Sequence, residues 1–528
     1  MPAVFSESGR SSWARCWLEG AGAALLLAPG LIWNQLSQTH LDLYHRLLPI
    51  TSVVRALAID VALLWPLATL VVRAVEWVTV RLSGSRPADR RNLWPLMWAL
   101  WFGMLAARTV TGLTVAQVLS WQQLSGNRAF ALMAGLLALI WFAAPKGYAA
   151  TIRGLRFAVV LVGFCMFWAL PILAARGFAH QPHDRAEFHK PLPASAVPHR
   201  RIVWLLFDEM SYDQVFDHRW PGLELPNLDR LRAQSVTFSD MQPNGYFTER
   251  IIPSLLLGKP IADARSTEAG VLHYQTAKGG PWADFDGNAT VFGDARREGW
   301  TTGISGDYNP YCRMFENQLD SCWMRLIVFG EHLSRDKSTW GNLTAPVQAG
   351  WARVVHKPYE PAPSQAEVFA SMMSSAQRLV ADESIDFAFV HLYLPHPPGF
   401  YDRRTGRVAM GGSYIDNLAL ADRSLGELLQ TLGETRDAEQ TTLIVSSDHS
   451  WRVGIWRDGF GWTKEDELAS GHGHFDPRPV LIVRFPGETA PADVERPVPL
   501  LAMHAMIDGM LAGQLGDVQQ LEAWPGKQ

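Results

Sequence analysis

The chain has 528 residues, more than one hydrophobic core usually supports, so two or three domains are expected. Its 47 Lys and Arg nearly balance 51 Asp and Glu, and this charge of −4 provides no basic field to attract nucleic acid. The hydrophobic content of 48% is an average over two parts of the chain with different compositions. Long apolar runs fill residues 1 to about 180, and the remainder has the pattern of a water-exposed globular domain.

Five apolar segments in residues 1–179 predict an α-helical transmembrane bundle, at about 17–37, 52–80, 93–120, 129–146 and 157–176. Each approaches the roughly 20 residues that a helix needs to cross a bilayer. Nine Lys and Arg lie before the first segment and in two of the loops, whereas the other loops hold only Arg46 and Arg128. The positive-inside rule therefore predicts a cytoplasmic N-terminus and, after five crossings, an extracytoplasmic C-terminal domain.

A polar linker with several prolines, at 180–199, precedes the second predicted domain at 200–528. Short β-rich runs alternate there with helical stretches, which predicts an α/β sandwich around a largely parallel sheet. The predicted strands are 201–207, 387–394, 441–450 and 480–485, and the predicted helices are 226–235 and 421–432. Asp416 and Asp422 are expected on a solvated helix face.

Polar side chains recur in clusters at predicted strand ends: Asp208 and Glu209, Thr248, the pair of His391 and His396, and Asp448 and His449, with His472 and His474 as a fifth cluster. In open α/β sheets, this edge is where sites form. Carboxylates, imidazoles and one hydroxyl make a ligand set for a divalent metal such as Zn²⁺ or Mn²⁺, with a second ion left open. Any one such Asp or His, taken alone, is more often a cap or a satisfied core group.

Two of the four cysteines, Cys312 and Cys322, lie close together in the polar stretch YCRMFENQLDSCW. In an oxidising compartment outside the cytoplasm, this pair is expected to form a local disulfide. The alternative is two unrelated thiols.

Four stretches between about residues 200 and 490 occur in a specific order: RIVWLLFDEMSYD, LPNLDRLRAQSVTF, TERIIPSLLLG and TTLIVSSDHS. Together they resemble the signature set of the alkaline phosphatase/sulfatase superfamily. Sulfatases carry Cys or Ser at the start of a C/S-x-P-S-R stretch that ends in L-L-T-G. Counting back ten residues from Gly258 gives Thr248 in the nucleophile position.

The threonine at this position separates the chain from true sulfatases. Sulfatases oxidise Cys or Ser to formylglycine, an aldehyde that threonine cannot yield. Thr248 therefore favours superfamily members that transfer phosphoryl groups through a phosphothreonine, in which a metal-bound hydroxyl serves as nucleophile near neutral pH.

A second stretch, HLYLPHPPGFY at 391–401, resembles the H-x4-H-x-P-x-x-Y stretch of bacterial phosphoethanolamine transferases. Those enzymes, like lipoteichoic acid synthases, carry five N-terminal membrane helices before an extracytoplasmic catalytic domain. The resemblance implies a membrane phospholipid donor, an envelope lipid or glycan acceptor, and a place in the bacterial inner membrane with a periplasmic or extracellular catalytic domain. The ending RFPG, at 484–487, is closer to sulfatase-type members.

The resemblance implies that Asp448, His449 and Thr248 bind metal. The first-strand ligand is Glu209 in register with the transferases, or Asp208 in register with sulfatases and phosphodiesterases. His396 and His474 are the expected acid/base residues, with His474 preferred over His472. His391, His472 and Arg452 are candidate substrate contacts, although Arg452 is equally well a surface residue.

Three classes of function remain open from the sequence. The first is a phosphotransferase that moves phosphoethanolamine or phosphoglycerol from a lipid to an envelope lipid or glycan. The second is a membrane-anchored hydrolase of phosphate or sulfate esters. The third is a non-catalytic envelope protein that binds glycan or lipid.

Overall fold

The structure is a computed structural model that describes residues 13–31, 50–83, 135, 139, 150, 154, 156–161, 164, 187–192, 200–266, 272–325, 365–458, 461–487 and 490–526. The chain divides into two compact units. One unit comprises Met1–Leu41, Leu48–Pro182 and Phe329–Ala362, and the other comprises Asp42–Leu47, His183–Val328 and Pro363–Gln528.

Two long helices, α1 (Trp13–Leu31) and α2 (Ile50–Ser83), pack against each other in the first unit. They approach closely at Gly20, where a Cβ atom would lie 2.1 Å from Thr69 Oγ1. A residue without a side chain is therefore needed at this contact.

The described helices can be compared with the predicted membrane-spanning segments. Within the described part of the chain, no helix has both the length and the hydropathy of a membrane span. The predicted segment 93–120 lies outside the described residues, as do most of 129–146 and 157–176. The predicted five-helix transmembrane bundle is not supported by the helices that are described.

The second unit is an α/β domain. Its strands are β1 Glu187–His189, β2 Arg201–Asp208, β3 Val236–Phe238, β4 Met241–Gln242, β5 Asp263–Ser266, β6 Leu272–Gln275, β7 Ala283–Asp284, β8 Thr302–Asp307, β9 Ser321–Arg325, β10 Phe387–Pro395, β11 Gly399–Asp402, β12 Arg407–Gly412, β13 Thr441–Ser447, β14 Leu481–Arg484, β15 Ala492–Val494 and β16 Val498–Pro499. Its helices are α3 Pro226–Arg232, α4 Thr248–Leu257, α5 Val291–Arg297, α6 Tyr311–Met314, α7 Gln365–Ala381, α8 Tyr414–Gly433, α9 Val453–Trp456, α10 Lys464–Ala469, α11 Met503–Leu511 and α12 Val518–Ala523.

Nine of the described strands form one mixed sheet in the order β1-β9-β8-β10-β2-β13-β14-β3-β15. The central strands β9, β8, β10, β2 and β13 run parallel, and β14 pairs antiparallel with β13. Two hydrophobic clusters cover the opposite faces of this sheet. Because both faces are covered, the central strand β2 carries an unbroken apolar run, IVWLLF, between Arg201 and Asp208.

The predicted α/β sandwich and its six predicted elements are confirmed. The strand predicted at 201–207 is β2, and those at 387–394, 441–450 and 480–485 are β10, β13 and β14. The helices predicted at 226–235 and 421–432 are α3 and part of α8.

The expectation for Asp416 and Asp422 is wrong, because both side chains are buried. Asp416 closes the capping box of α8 and pairs with Arg403. Asp422 accepts hydrogen bonds from the backbone N–H groups of Leu228, at 2.7 Å, and Asn227, at 3.1 Å. It therefore satisfies N–H groups in the first turn of α3, where the N-cap residue Leu225 makes no side-chain cap.

Replacing Asp422 with Ala should therefore destabilise the second unit. We expect D422A to lower the free energy of unfolding by about 2–3 kcal/mol, because buried donors lose their acceptor. Chemical denaturation followed by circular dichroism measures this loss. D229A on the same helix removes only the surface ion pair with Arg219 and should cost at most about 1 kcal/mol. Equal losses in the two variants would contradict the capping role.

Candidate active site

Three parallel strands bring the predicted site residues to one edge of the sheet. Ser447 of β13 pairs with Phe207 of β2, so the residues that follow them, Asp448 and Asp208, emerge side by side. On the other side of β2, strand β10 continues to Pro395, which pairs with Asp208. The carboxyl ends of β10, β2 and β13 therefore form the floor of the site.

Thr248 is the first residue of α4, directly after the extended residue Phe247. Its side chain is buried, and Oγ1 lies 3.4 Å from Asp208 Oδ1 and 3.3 Å from His449 Nε2. The helix ends at Leu257 and is capped by Gly258, whose φ of 64° and close approach to the His504 ring disfavour a side chain. The structure thus brings Thr248 to the predicted Asp-His pair.

Asp208, Asp448 and His449 form a buried group whose candidate ligand atoms all lie within 4.8 Å of one another. His449 Nε2 is 3.2 Å from Asp448 Oδ2 and 3.6 Å from Asp208 Oδ1. The other ring nitrogen, Nδ1, lies 3.0 Å from the backbone oxygen of Ser450 and donates its proton there. This bond leaves the Nε2 lone pair free toward the carboxylates, which is the usual arrangement of a metal-binding histidine.

Electrostatics also fit a cation at this place. Burial raises the pKa of Asp208 well above its ordinary value, and the neighbouring Asp448 charge raises it further. Burial likewise raises the pKa of Asp448, whose Oδ2 atom has no hydrogen-bond donor among the described residues. Burial lowers the pKa of His449 to about 3, so this imidazole is neutral and supplies no compensating charge. The group could therefore hold a divalent metal ion.

The Glu209 side chain is directed toward Arg452 and Trp456 instead of Asp208 and Asp448. Its backbone has the left-handed φ of 66°, and its carboxylate lies on the Nδ1 side of His449, with Oε1 4.0 Å from that nitrogen. Trp456 Nε1 donates to both carboxylate oxygens, at 3.1 and 2.9 Å, and Arg452 Nε donates to Oε1. Of the two candidate first-strand ligands left open by the sequence, the structure groups Asp208 with Asp448 and His449, whereas Glu209 contacts Arg452 and Trp456.

Arg452 is part of the site rather than a surface residue, because its side chain is only 11% exposed. Besides Glu209, it contacts the backbone oxygen of Tyr246 at 3.0 Å and His396 Nε2 at 2.9 Å. Arginine only donates, so His396 Nε2 accepts, while its Nδ1 faces the backbone oxygen of Pro397. Both nitrogens of His396 are engaged in this arrangement, and its acid/base role stays a prediction.

His391 lies on β10, fully buried, and burial lowers its pKa to about 4. Its Nδ1 is 2.7 Å from the hydroxyl of Tyr311, which also receives a hydrogen bond from Asn309 Nδ2 at 3.2 Å. The Nε2 atom has no well-formed hydrogen bond among the described residues. Tyr311 and Asn309 were not predicted as site residues, although both follow β8, which ends in Asp307 just as β2 ends in Asp208.

The late histidines are not brought to Thr248. His472 is 72% exposed, and its Nδ1 lies 3.7 Å from Glu467 Oε1. His474 is exposed, and among the described contacts neither side chain touches the group of Asp208, Asp448 and His449. Gly471, His472 and Gly473, in the turn after α10, all have positive φ. In this turn the chain runs along the surface, so the side chains of His472 and His474 are exposed.

A disulfide joins Cys312 in α6 to Cys322 in β9, with Cα atoms 5.6 Å apart. Both cysteines are buried. The bridge holds the segment that carries Tyr311 against the sheet, so it supports the contact between Tyr311 and His391.

A family model described as Sulfatase matches residues 200–498, which is more than half of the chain. The chain belongs to the sulfatase family. The predicted membership of the alkaline phosphatase/sulfatase superfamily is thereby confirmed, and the protein is an enzyme of this superfamily. No curated protein matches this sulfatase-family chain.

Solved structures resemble this sulfatase-family protein at low identity. They include Ps i-CgsB in complex with k-i-k-neocarrahexaose (15% identity, TM-score 0.41, 62% of this chain and 74% of that one). The phosphonate monoester hydrolase of Agrobacterium radiobacter (16%, 0.38, 60% and 74%) and the PsFucS1 sulfatase from Pseudoalteromonas sp. (15%, 0.40, 61% and 69%) are also similar. These values are too low to indicate a substrate.

The raised pKa of Asp448 predicts that its ionised carboxylate, which a metal ion would need, lowers the stability of the metal-free protein. As the pH rises, the unfolded chain loses this proton before the folded chain does, so the metal-free protein loses stability above the ordinary carboxyl pKa. Asn cannot ionise, and its amide can donate to His449 Nε2. We expect D448N to raise the free energy of unfolding of the metal-free protein at pH 7 by about 1–2 kcal/mol.

Denaturation of the full-length protein in a chelator measures this gain, which should vanish below about pH 4, where Asp448 is protonated in both states. Added Zn²⁺ or Mn²⁺ should stabilise the unaltered protein but not D448N. The exposed substitution E439Q should change stability by less than about 0.5 kcal/mol. A D448N variant that is less stable without metal would contradict this account of the site.

Proposed function

We propose that the protein transfers a phosphoryl head group, phosphoethanolamine or phosphoglycerol, from a membrane phospholipid to an envelope lipid or glycan. The transfer runs through a covalent phosphothreonine on Thr248. The observation that carries the proposal is the position of the Thr248 hydroxyl, buried at a helix N-terminus and within 3.4 Å of both Asp208 and His449.

The residue type at position 248 favours phosphate over sulfate chemistry. Sulfatases need an aldehyde that is made from Cys or Ser, and Thr248 cannot become one. A threonine hydroxyl can instead act directly as a nucleophile when its pKa is lowered. The N-terminus of α4 adds partial positive charge beside the hydroxyl, which favours an anionic group at this position.

The reaction has two displacements. Thr248 Oγ1 bonds to phosphorus while the bond between phosphorus and the diacylglycerol oxygen breaks, and the proton lost by the Thr248 hydroxyl is balanced by the one that the diacylglycerol oxygen gains. An acceptor hydroxyl then bonds to phosphorus while the bond to Thr248 Oγ1 breaks, and the proton lost by the acceptor restores the Thr248 hydroxyl. Arg452, with only 11% of its side chain exposed, is placed to bind a phosphoryl oxygen, and the buried Nε2 of His391 is a second polar atom that could contact the transferred group.

Asp208, Asp448, His449 and Thr248 would hold the divalent ion, for which Zn²⁺ and Mn²⁺ suit this oxygen and imidazole set. Such an ion lowers the pKa of a bound hydroxyl and stabilises negative charge on the transferred group.

The lipid donor and the envelope acceptor are supported by the sequence. Its five apolar segments, the excess of Lys and Arg on one side, and the HLYLPHPPGFY stretch together favour a protein of the bacterial inner membrane. We place the catalytic domain on the periplasmic or extracellular side, where donor lipids and envelope acceptors are concentrated at the bilayer surface.

Hydrolysis of a phosphate or sulfate ester is the second candidate, because the RFPG ending of β14 resembles sulfatase-type members. Water would then replace the acceptor hydroxyl in the second displacement. The two candidates share Thr248 and differ only in what removes the group from it.

Incubation of the full-length protein with labelled phosphatidylethanolamine or phosphatidylglycerol tests both. Mass spectrometry should detect a head-group adduct on Thr248, and T248A should lose the adduct and at least about a thousandfold in turnover. T248S keeps a hydroxyl and should retain the adduct, and T405A, on an exposed turn, should behave as the unaltered protein.

A labelled envelope acceptor would establish transfer, and release of a free head group alone would establish hydrolysis. Undiminished turnover by T248A would rule out both candidates.

A further inference from the structure

Large hydrophobic side chains are exposed beside the site, in two segments that adjoin Thr248. Tyr246 and Phe247 directly precede Thr248, and the Phe247 side chain is 46% exposed. Ile455, in α9, is 49% exposed. Hydrophobic residues scattered singly over a surface need no explanation, whereas a group of them marks a place where an apolar partner binds. We call Tyr246, Phe247 and Ile455 the apolar rim.

Contacts with the site hold the two segments of the apolar rim together. The backbone oxygen of Tyr246 accepts a hydrogen bond from Arg452 Nη1 at 3.0 Å, and Arg452 is the N-cap residue of the helix that carries Ile455. The Tyr246 ring meets the Phe475 ring edge-on, with centroids 5.4 Å apart. The apolar rim is therefore anchored next to Thr248.

A positive charge accompanies the apolar rim. The Arg250 guanidinium lies 5.6 Å from the centroid of the Phe247 ring and is partly exposed. Its ion pair with Asp263 is long, at 3.5 Å, and a surface pair of this kind contributes little to stability. The Arg250 side chain can therefore turn toward a phosphate group. Aromatic and basic side chains placed side by side are typical of protein segments at the surface of a bilayer.

The combination favours one kind of partner. A glycan or a water-soluble ester would leave the side chains of Phe247 and Ile455 in water. A phospholipid bilayer offers acyl chains for these side chains and negatively charged phosphates for Arg250. Both features occur within a few residues of Thr248, where the phosphoryl group of a lipid donor would lie.

We propose that the apolar rim enters the surface of a phospholipid bilayer and holds the diacylglycerol part of the donor while the phosphoryl group lies at Thr248. Arg250 then contacts the phosphates of neighbouring lipids. The inference rests on the proposed function for its lipid donor, and it assigns to Phe247 and Ile455 the selection of a lipid over a soluble ester with the same head group.

The test compares two forms of one donor with the full-length protein. The rate of head-group adduct formation on Thr248 is measured with phosphatidylethanolamine or phosphatidylglycerol in phosphatidylcholine vesicles, and with the water-soluble dibutyroyl forms of the same lipids. Adduct formation reports the first displacement alone, so the result is the same whether the group passes to an acceptor or to water. We expect the unaltered protein to prefer the vesicle donor at least about tenfold, because burial of one Phe or Ile side chain is worth about that factor.

F247S/I455S should lower the ratio of the vesicle rate to the soluble rate at least about tenfold. F247W/I455L keeps the apolar rim apolar and should keep the ratio. The matched control is M410S, because Met410 is 51% exposed but lies on β12, which pairs with β11 in a separate two-stranded sheet. It should also keep the ratio.

The single variants F247S and I455S provide arms that do not depend on the folding of the double variant, and each should lower the ratio about threefold or more. An unchanged ratio in these variants, or equal rates with both donor forms in the unaltered protein, would overturn the inference. A change of oligomeric state at an unchanged ratio would show that a second copy of the chain covers the apolar rim, and would overturn it as well. Absence of any adduct on Thr248 in the unaltered protein would instead contradict the function proposed above.

Discussion

The site depends on the meeting of two buried carboxylates, Asp208 and Asp448, at the ends of neighbouring parallel strands. Strand pairing between β2 and β13 brings them together, and burial together with their mutual repulsion raises the pKa of Asp208. Such a pair is costly without a cation. Thr248 and His449 complete the group. The contact between Asp208 and Asp448 therefore lowers the stability of the metal-free fold, and it also forms the site in which the Thr248 hydroxyl can act as a nucleophile.

A second pair of charged residues, Glu209 and Arg452, lies beside the carboxylates of Asp208 and Asp448. Glu209 follows Asp208 directly, but its left-handed backbone turns the carboxylate toward Arg452 and Trp456. Two adjacent acids on one strand therefore have different partners. Arg452 comes from the segment after β13 and joins Glu209 to His396 after β10. The ends of three strands are thus linked by ion pairs and hydrogen bonds as well as by the sheet.

Some residues had no reliable signal in the sequence. The late histidines were expected at the site because of their place in a motif, yet a turn of positive-φ residues leaves His472 at the surface. Asp422 looked like a solvated helix residue, but its partner Leu228 is nearly 200 positions away in the chain. Tyr311 was missed because its contact with His391 depends on the pairing of β8 with β10.

The sequence by itself determined the α/β domain, the order of its central elements, the superfamily and the position of Thr248, because apolar runs and short motifs are local properties of the chain. Only the tertiary structure decided which side chains meet. It grouped Asp208 rather than Glu209 with Asp448 and His449, and it engaged both nitrogens of His396. These contacts depend on strand register and backbone conformation, which set the direction of each side chain. Neither property can be deduced from the spacing of residues in the sequence.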